Sequence, residues 1–211
     1  MAEAIDKKWD LEGFLTSYPR MVLAPLTGVG ITVEGTFDFT AESPPHEQIT
    51  DSYELRLVIP STFPKDAPVV YELGKRIPRN ETYHVNSDGS LCLGSPLRLR
   101  MELAKRPTLP SFSSTCIIPY LYAISHKFKK GGGLLFGELA HGTKGEIDDY
   151  KSILGLTSAE QVDKALECLK LDKRQANKRP CPCGCGKRLG MCKFNRRLRA
   201  LRELLDRQNS R

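Results

Sequence analysis

A cluster of thiols near the end of the chain is the clearest chemical signal in the amino-acid sequence. Four of the seven cysteines, Cys181, Cys183, Cys185 and Cys192, lie in the segment CPCGCGKRLGMC. Four thiolates at this spacing match the ligand set of a closed tetrahedral zinc site, and the glycines between them supply the turns that chelation requires. A redox-active Cys-x-Cys pair and unliganded thiols in a mobile tail are the alternatives. The pattern favours structural Zn²⁺, and with no histidine nearby it does not indicate a catalytic metal.

A second candidate for chemistry is Cys92, in the segment DGSLCLGS. A single cysteine between two leucines is most often a small buried hydrophobic side chain, and a single histidine such as His84 is most often structural. However, residues 80–110 show no helical or strand periodicity, and long irregular segments inside a domain are often functional. We therefore expect any catalytic chemistry of this chain to lie in this segment.

The segments that position Cys92 follow an α+β order. Apolar residues at helical spacing predict a first helix over residues 5–15. Alternating apolar residues then predict strands at 29–39, 53–59 and 69–73, and the polar stretch 41–52 is expected to connect the first two. Alternation of this kind is typical of an antiparallel meander with one buried face.

Helical spacing resumes after the irregular segment. Ser113 or Ser114 is predicted to cap a helix that continues to residue 130 and that Pro119 is expected to kink. A short helix is predicted at residues 147–154. Thr157 and Glu160 have the spacing of a capping box and predict the start of another helix.

This order of segments resembles the ubiquitin-conjugating enzyme family, specifically its divergent bacterial branch. The matching features are the N-terminal helix, a four-stranded meander over residues 29–73, the proline-rich turn IPSTFPKDAPVVYEL, the element HVN at His84 to Asn86, and DGSLCLG around Cys92. Val85 replaces the proline of the eukaryotic pattern, and the spacing from His84 to Cys92 is shorter. Asn86 is therefore either the asparagine that stabilises the oxyanion or an ordinary residue before the Asp88-Gly89 turn.

The resemblance covers residues 1–155 and implies the ubiquitin-conjugating fold and a cysteine transferase activity. Cys92 would accept the C-terminus of a partner protein as a thioester and pass it to an acceptor, with Asn86 and His84 as further catalytic residues. Bacterial relatives in anti-phage operons, including CBASS, imply a cGAS-like nucleotidyltransferase or a ubiquitin-like protein as the partner. The need for an activating enzyme stays open. A noncatalytic adaptor on the same fold is the alternative.

The cysteine cluster resembles the SEC-C zinc motif. Cys181, Cys183 and Cys192 match its spacing, whereas Lys193 stands at the last ligand position. Cys185 is expected to supply the missing thiolate. Cys116 and Cys168 lie at apolar helical positions and are predicted to be core residues.

The formal net charge of +7 is concentrated at the end of the chain. Residues 171–211 contain 13 Lys+Arg and 3 Asp+Glu (+10), whereas residues 1–170 contain 19 and 22 (−3). We therefore expect a ubiquitin-conjugating-like domain at 1–170 and a basic zinc-binding tail at 171–211. The final helix, with Leu198, Leu201, Leu204 and Leu205 on one side, either packs on the zinc segment or docks an acidic protein or nucleic acid. The scarcity of aromatic residues favours a protein partner.

A zinc-containing nucleic-acid-binding protein is a second alternative to the transferase, although the charge distribution argues against it. The N-terminus lacks a secretory signal, and the longest apolar run, residues 116–124, is too short to cross a bilayer. We therefore expect a soluble, cytoplasmic protein that has no membrane partner and no organic cofactor.

Overall fold

The computed structural model describes residues 9–25, 30–135 and 142–209. The chain divides into two units, Met1–Glu138 and Leu139–Arg211. The predicted boundary is residue 170, whereas the structure assigns residues 139–170 to the unit that carries the cysteine cluster. The cysteine-rich tail is therefore part of a larger helical unit.

The first unit contains a four-stranded antiparallel sheet with the strand order β1-β2-β3-β4. The strands are β1 (Met21–Leu23), β2 (Ile31–Ser43), β3 (His46–Ile59) and β4 (Val69–Glu72). Together with the flanking helices, this sheet confirms the α+β class. Residue 29 of the first predicted strand lies outside the described residues, and β1 was not predicted.

The prediction of a polar connection over residues 41–52 was wrong. β2 and β3 remain paired along most of this stretch and turn tightly at Pro44-Pro45. The Thr40 and Thr50 hydroxyls lie 2.9 Å apart across the pair, and both residues are exposed. Polar side chains occupy this end of the hairpin because it is largely exposed to solvent, so hydrophobic alternation does not reveal its strands.

The helices of the first unit are α1 (Leu11–Ser17), α2 (Pro96–Lys105), α3 (Leu109–Phe112) and α4 (Ile118–Lys130). Residues 5–8 of the predicted first helix lie outside the described residues. The expectation that residues 80–110 contain no regular structure was wrong for α2. Only Leu97 and Leu103 of α2 are buried, which is too few to give a clear hydrophobic period. The start of α2 is fixed by Ser95, whose hydroxyl accepts a hydrogen bond from the Arg98 amide.

The predicted caps at Ser113 and Ser114 were also wrong. The helical stretch begins earlier, where Thr108 Oγ1 accepts a hydrogen bond of 3.4 Å from the Ser111 amide. Ser113 Oγ instead donates to the Leu109 carbonyl over 3.0 Å. A π-helical turn over Ser113–Ile117 lies just before α4, and Pro119, which has no N–H to donate to the preceding turn, is the second residue of α4. The kink at Pro119 stays a prediction.

α4 packs against β2 and β3 and closes the hydrophobic core of the first unit. These strands, α4 and the π-helical turn before α4 supply fully buried apolar side chains to the core: Val33, Phe37, Leu55, Leu57, Ile59, Ile117, Leu121 and Ile124. Phe128 is 38% exposed because it lies near the end of α4. The periodicity of the sequence therefore predicts part of this core, whereas buried residues of the irregular segments, such as Phe63, Ile77 and Leu91, follow no such pattern.

A polar network joins the sheet, α4 and the segment after β4. The Tyr53 hydroxyl lies 2.8 Å from Ser125 Oγ, which donates to Asp51 Oδ2 over 2.7 Å. Arg76 donates to both carboxylate oxygens of Asp51, over 2.7 and 2.8 Å, and its guanidinium lies 4.5 Å from the Tyr53 ring centroid. Burial opposes ionisation of Asp51, but hydrogen bonds from Arg76, Ser125 and Ser52 outweigh it and lower the pKa of that carboxyl.

The second unit consists of α5 (Gly142–Leu154), α6 (Ala159–Lys170), α7 (Lys173–Lys178) and α8 (Phe194–Asn209). Its core includes the following buried apolar side chains: Leu154, Leu156, Val162, Ala165, Cys168, Ala176, Leu189, Leu198 and Leu201. The capping box of α6 is formed by Ser158 and Gln161, one residue later than predicted. Glu160 instead forms an ion pair with Lys164 at 2.6 Å.

Two arginines of α8 bind the carboxyl ends of α5 and α6. Arg197 Nη1 donates to the Leu154 carbonyl over 2.7 Å, and Arg202 Nη2 donates to the Cys168 carbonyl over 2.5 Å. Gly155 has a φ of +64° and allows this approach, since a Cβ atom there would lie 1.8 Å from Arg197 Nη1. Cations at helix carboxyl ends satisfy free carbonyls and offset the helix dipole. These contacts explain why residues 139–170 belong with the tail.

None of the helices in the described part of the chain combines the length and the apolar character needed to cross a membrane.

Replacing Ser125 with alanine should lower the free energy of unfolding by about 1–3 kcal/mol, because the substitution removes a hydrogen-bond partner from both Tyr53 and Asp51 in a buried network. Ser114→Ala, which removes an exposed hydroxyl bonded to the Ser111 carbonyl, is the matched control and should change it by less than about 0.5 kcal/mol. Urea denaturation measures both values. Equal effects of the two substitutions would contradict the role assigned to the network.

The same network predicts how stability depends on acid. The Asp51 carboxyl has a lowered pKa in the folded chain. Its contribution to the free energy of unfolding is therefore complete above its ordinary pKa of about 4, and it is lost as the pH falls through the lowered pKa of the folded chain. Ser125→Ala should reduce this acid-dependent loss, since it removes one of the hydrogen bonds that lower the pKa.

Candidate functional site

The structure brings the four cysteines of the tail together. Their Sγ atoms all lie within 4.8 Å of one another. The shorter separations are 3.2 Å from Cys181 to Cys183, and 3.6 Å from Cys192 to both Cys183 and Cys185. A tetrahedral site with metal–sulfur bonds of about 2.3 Å has sulfur atoms about 3.8 Å apart. The cluster therefore has the size of a four-thiolate metal site, and Cys185 belongs to it.

Tight turns and backbone hydrogen bonds hold the cluster in place. The Cys181 amide donates to the Lys187 carbonyl over 2.8 Å, and the Gly184 amide donates to the Cys181 carbonyl over 3.1 Å. Gly184 and Gly186 have φ values of +77° and +74°, which residues with a Cβ atom rarely adopt. A 3₁₀ turn over Leu189–Met191 ends at Cys192, whose thiol lies beside the other three. Glycine thus has a conformational role at two positions between the ligands.

The thiols of the cluster differ in their tendency to ionise. Burial raises the pKa of Cys181. The Phe194 amide donates to Cys192 Sγ over 3.4 Å and, with the neighbouring thiols, lowers the pKa of Cys192 to about 7. Four thiols this close cannot all ionise unless a cation lies among them. The donor set therefore fits a soft divalent metal ion, which takes thiolate ligands.

Cys92 and His84 come together on a short hairpin. Val85 and Leu91 form an antiparallel bridge, and the Cys92 amide donates to the His84 carbonyl over 2.8 Å. His84 is buried, with a φ of +53°, and ends the 3₁₀ turn Glu81–Tyr83. The backbone of His84 therefore positions Cys92.

The side chain of Asn86 takes part in the turn of this hairpin. Its Nδ2 donates to Ser90 Oγ over 3.0 Å, and Ser90 Oγ donates to Asp88 Oδ1 over 2.6 Å. The Gly89 amide donates to the Asn86 carbonyl over 2.9 Å, and Gly89 has a φ of +82°. Of the two interpretations of Asn86, these contacts support that of a turn residue.

Tyr120 contacts the segment that carries Cys92 and was not predicted from the sequence. Its hydroxyl donates to the Tyr83 carbonyl over 2.8 Å, directly before His84 in the chain. Burial raises the pKa of Tyr120, and the negative charge of the Cys92 thiolate adds to this effect. Tyr120 lies on α4, and its contact with the Tyr83 carbonyl joins residues far apart in the chain, which no local sequence pattern indicates.

The cysteines predicted to be core residues are buried. Cys116 is 5% exposed and Cys168 is 3% exposed, whereas Cys92 is half-buried. Burial raises the pKa of both Cys116 and Cys168. Outside the metal-site cluster, Cys92 is thus the cysteine that solvent reaches most readily.

Comparisons of the chain with protein-family models, with curated proteins and with solved structures give no match. The interpretation of both sites therefore depends on their own geometry.

Thiol labelling of the folded chain should separate Cys92 from Cys116. A thiolate must be accessible to react with iodoacetamide, so we expect Cys92 to be modified and Cys116 to react only after unfolding. Mass spectrometry of the peptides after timed labelling measures both rates in one sample. Equal rates in the folded chain would show that Cys92 is not the more reactive thiol.

Proposed function

We propose that this chain is a ubiquitin-conjugating-like transferase that carries the C-terminus of a partner protein as a thioester on Cys92. The observation that carries the proposal is the placement of a half-buried cysteine at the end of an anchored irregular segment, with its amide bonded to the His84 carbonyl. The order of the first unit supports it: a helix, an antiparallel meander, a 3₁₀ turn, the cysteine and then helices. Apart from the 3₁₀ turn, this is the order implied by the family resemblance.

The proposed reaction has two acyl transfers. The Cys92 thiolate attacks the carbonyl carbon of a C-terminus that a donor thiol holds as a thioester. A new C–S bond to Cys92 forms, the C–S bond to the donor breaks, and the donor leaves as a thiolate. An acceptor amine or thiol then attacks the Cys92 thioester, the C–S bond breaks, and Cys92 leaves as a thiolate while the acceptor proton passes to solvent. No oxidant or reductant is required.

The two residues proposed beside Cys92 differ in what they can do. His84 holds the Cys92 amide through its backbone carbonyl, so it acts as a positioning residue. Asn86 would have to release Ser90 Oγ before its amide could donate to a tetrahedral oxyanion. The resemblance favours a bacterial anti-phage setting, with a cGAS-like nucleotidyltransferase or a ubiquitin-like protein as the carried partner.

Expression of the tagged full chain in its native host, with its neighbouring genes, tests the thioester. Wild type and Cys116→Ala should yield a larger species on non-reducing gels that survives a phosphine reductant but is cleaved by neutral hydroxylamine. That combination distinguishes a thioester from a disulfide. Cys92→Ala should lose the species, and Cys92→Ser should accumulate a more stable oxyester. Mass spectrometry identifies the attached C-terminus.

The opposite outcome would favour the noncatalytic adaptor. A partner that co-purifies equally with wild type and Cys92→Ala, without any covalent species on Cys92, would contradict the transferase.

We also propose that the metal of the cysteine cluster is Zn²⁺ and that its role is structural. The sulfur separations and the complete set of four thiols support this assignment, since a catalytic zinc keeps a ligand position open. The second unit is small, and binding of a metal would add directly to its folding free energy.

The metal content of purified variants tests the ligand set. Wild type and Cys168→Ala should contain about one zinc per chain by plasma mass spectrometry. Loss of a residue that only hydrogen-bonds to a metal ligand lowers metal affinity about tenfold to hundredfold. Cys185→Ser removes a ligand itself, so it should lower the zinc affinity by more than this. An unchanged affinity in Cys185→Ser would exclude Cys185 as a ligand, and a metal-free wild type would overturn the assignment.

A further inference from the structure

An open pocket of about 570 Å³ lies beside the cysteine cluster, within the second unit. Lys173, Arg174 and Lys178 of α7 line one part of it, and Arg188 lines another. Met191, which is 78% exposed, completes the lining together with two smaller residues. Four cationic side chains therefore surround a single concavity of the size that small ligands occupy.

These four cations have no anionic partner among the residues that the structure describes. Their charged groups take part in no ion pair or side-chain hydrogen bond there, unlike Arg197 and Arg202 of the same unit, which bind helix carbonyls. Asp172, directly before Lys173, is the nearest acidic residue in the sequence, and its carboxylate accepts hydrogen bonds from the backbone amides of Arg174 and Gln175. Residues 173–193 contain seven Lys+Arg and no Asp or Glu. The pocket thus has a concentrated positive field that no acidic residue of that segment offsets.

The backbone around the pocket is fixed by the same turns that arrange the cysteines. The Leu189 amide donates to the Arg179 carbonyl over 2.9 Å, and Pro180 and Arg188 form an antiparallel bridge. Gly190 packs so closely on Asn177 that a Cβ atom at Gly190 would lie 3.1 Å from the Asn177 carbonyl oxygen. A preformed wall of this kind lowers the ordering cost of binding.

We infer that this pocket binds the phosphate groups of a nucleotide or of a nucleic-acid strand. A phosphate concentrates negative charge and several acceptor oxygens in one group, and arginine can bind it through two parallel hydrogen bonds. An acidic peptide instead distributes single charges along an extended backbone, at about 3.3 Å per residue. Four cations around one pocket match the more concentrated anion.

The exposed Met191 side chain provides the apolar contact for a base or sugar next to the bound phosphate, since methionine packs readily against aromatic rings. None of the pocket-lining residues is aromatic. Recognition by stacking on aromatic side chains is therefore not part of the site, and binding should be independent of base sequence. This function of the second unit does not require the proposed thioester chemistry of the first.

Fluorescence anisotropy of a labelled oligothymidylate of about twelve nucleotides tests the inference on the purified, zinc-loaded full chain. Lys178→Ala/Arg188→Ala removes two pocket cations. Lys170→Ala/Arg196→Ala removes two exposed cations of the same unit that do not line the pocket, so the two variants have equal net charge. Zinc content and circular dichroism show whether both remain folded.

We expect the pocket variant to lose at least about tenfold in affinity, because hydrogen bonds to charged groups are among the stronger ones. The slope of log affinity against log salt concentration should become shallower by about 1.4 in this variant. Each phosphate contact to a single strand contributes about 0.7 to that slope, and the variant removes two contacts. The matched control should keep the wild-type slope. Equal losses in both variants would show a diffuse charge effect and would overturn the site.

Competition experiments identify the chemical class and the source of the ligand. Displacement by ATP or inorganic phosphate supports a free nucleotide as the source, and displacement only by unlabelled oligonucleotide supports a strand. An oligoglutamate of equal charge that competes as well as the oligonucleotide would overturn the assignment to phosphate. Failure of the wild-type chain to bind the oligonucleotide, ATP and phosphate at low salt would also overturn it.

Discussion

The position of Cys92 depends on how the irregular segment after β4 is held to the rest of the first unit. The buried carboxylate of Glu72 accepts hydrogen bonds from the backbone amides of Arg76 and Ile77, each over 3.3 Å. Further along, α4 supplies Tyr120, which binds the Tyr83 carbonyl over 2.8 Å. A segment without regular hydrogen bonding must satisfy its backbone groups in this way to stay ordered. These side-chain contacts place the cysteine.

Contacts of this kind explain which parts of the fold could be predicted from the sequence. The buried faces of β2, β3 and α4 have a strong apolar period, and the tail cysteines lie close together in the chain, so both were predicted. The start of α3 at Thr108 and the capping box at Ser158 depend on which of several neighbouring polar residues reaches a free amide. The anchoring of Cys92 by His84 and Tyr120 depends on packing between distant segments, which no local pattern encodes.

The basic charge of the tail serves more than one purpose. Arg197 and Arg202 bind carbonyls at the ends of α5 and α6, and Arg199 pairs with Glu203 at 2.8 Å, so much of the charge on α8 supports the unit itself. The cations around the pocket have no such role among the described residues. Net charge alone cannot separate these two groups, because the difference is in the hydrogen-bond partners.

The metal cluster and the basic pocket share one stretch of backbone. Arg188, Gly190 and Met191 lie between Cys185 and Cys192 in the chain, so a metal that joins these two thiols closes the loop that carries part of the pocket. Closing a loop removes conformational freedom that a ligand would otherwise have to remove on binding. A structural metal here would therefore act on the pocket without contacting its ligand, by fixing the loop that carries Arg188.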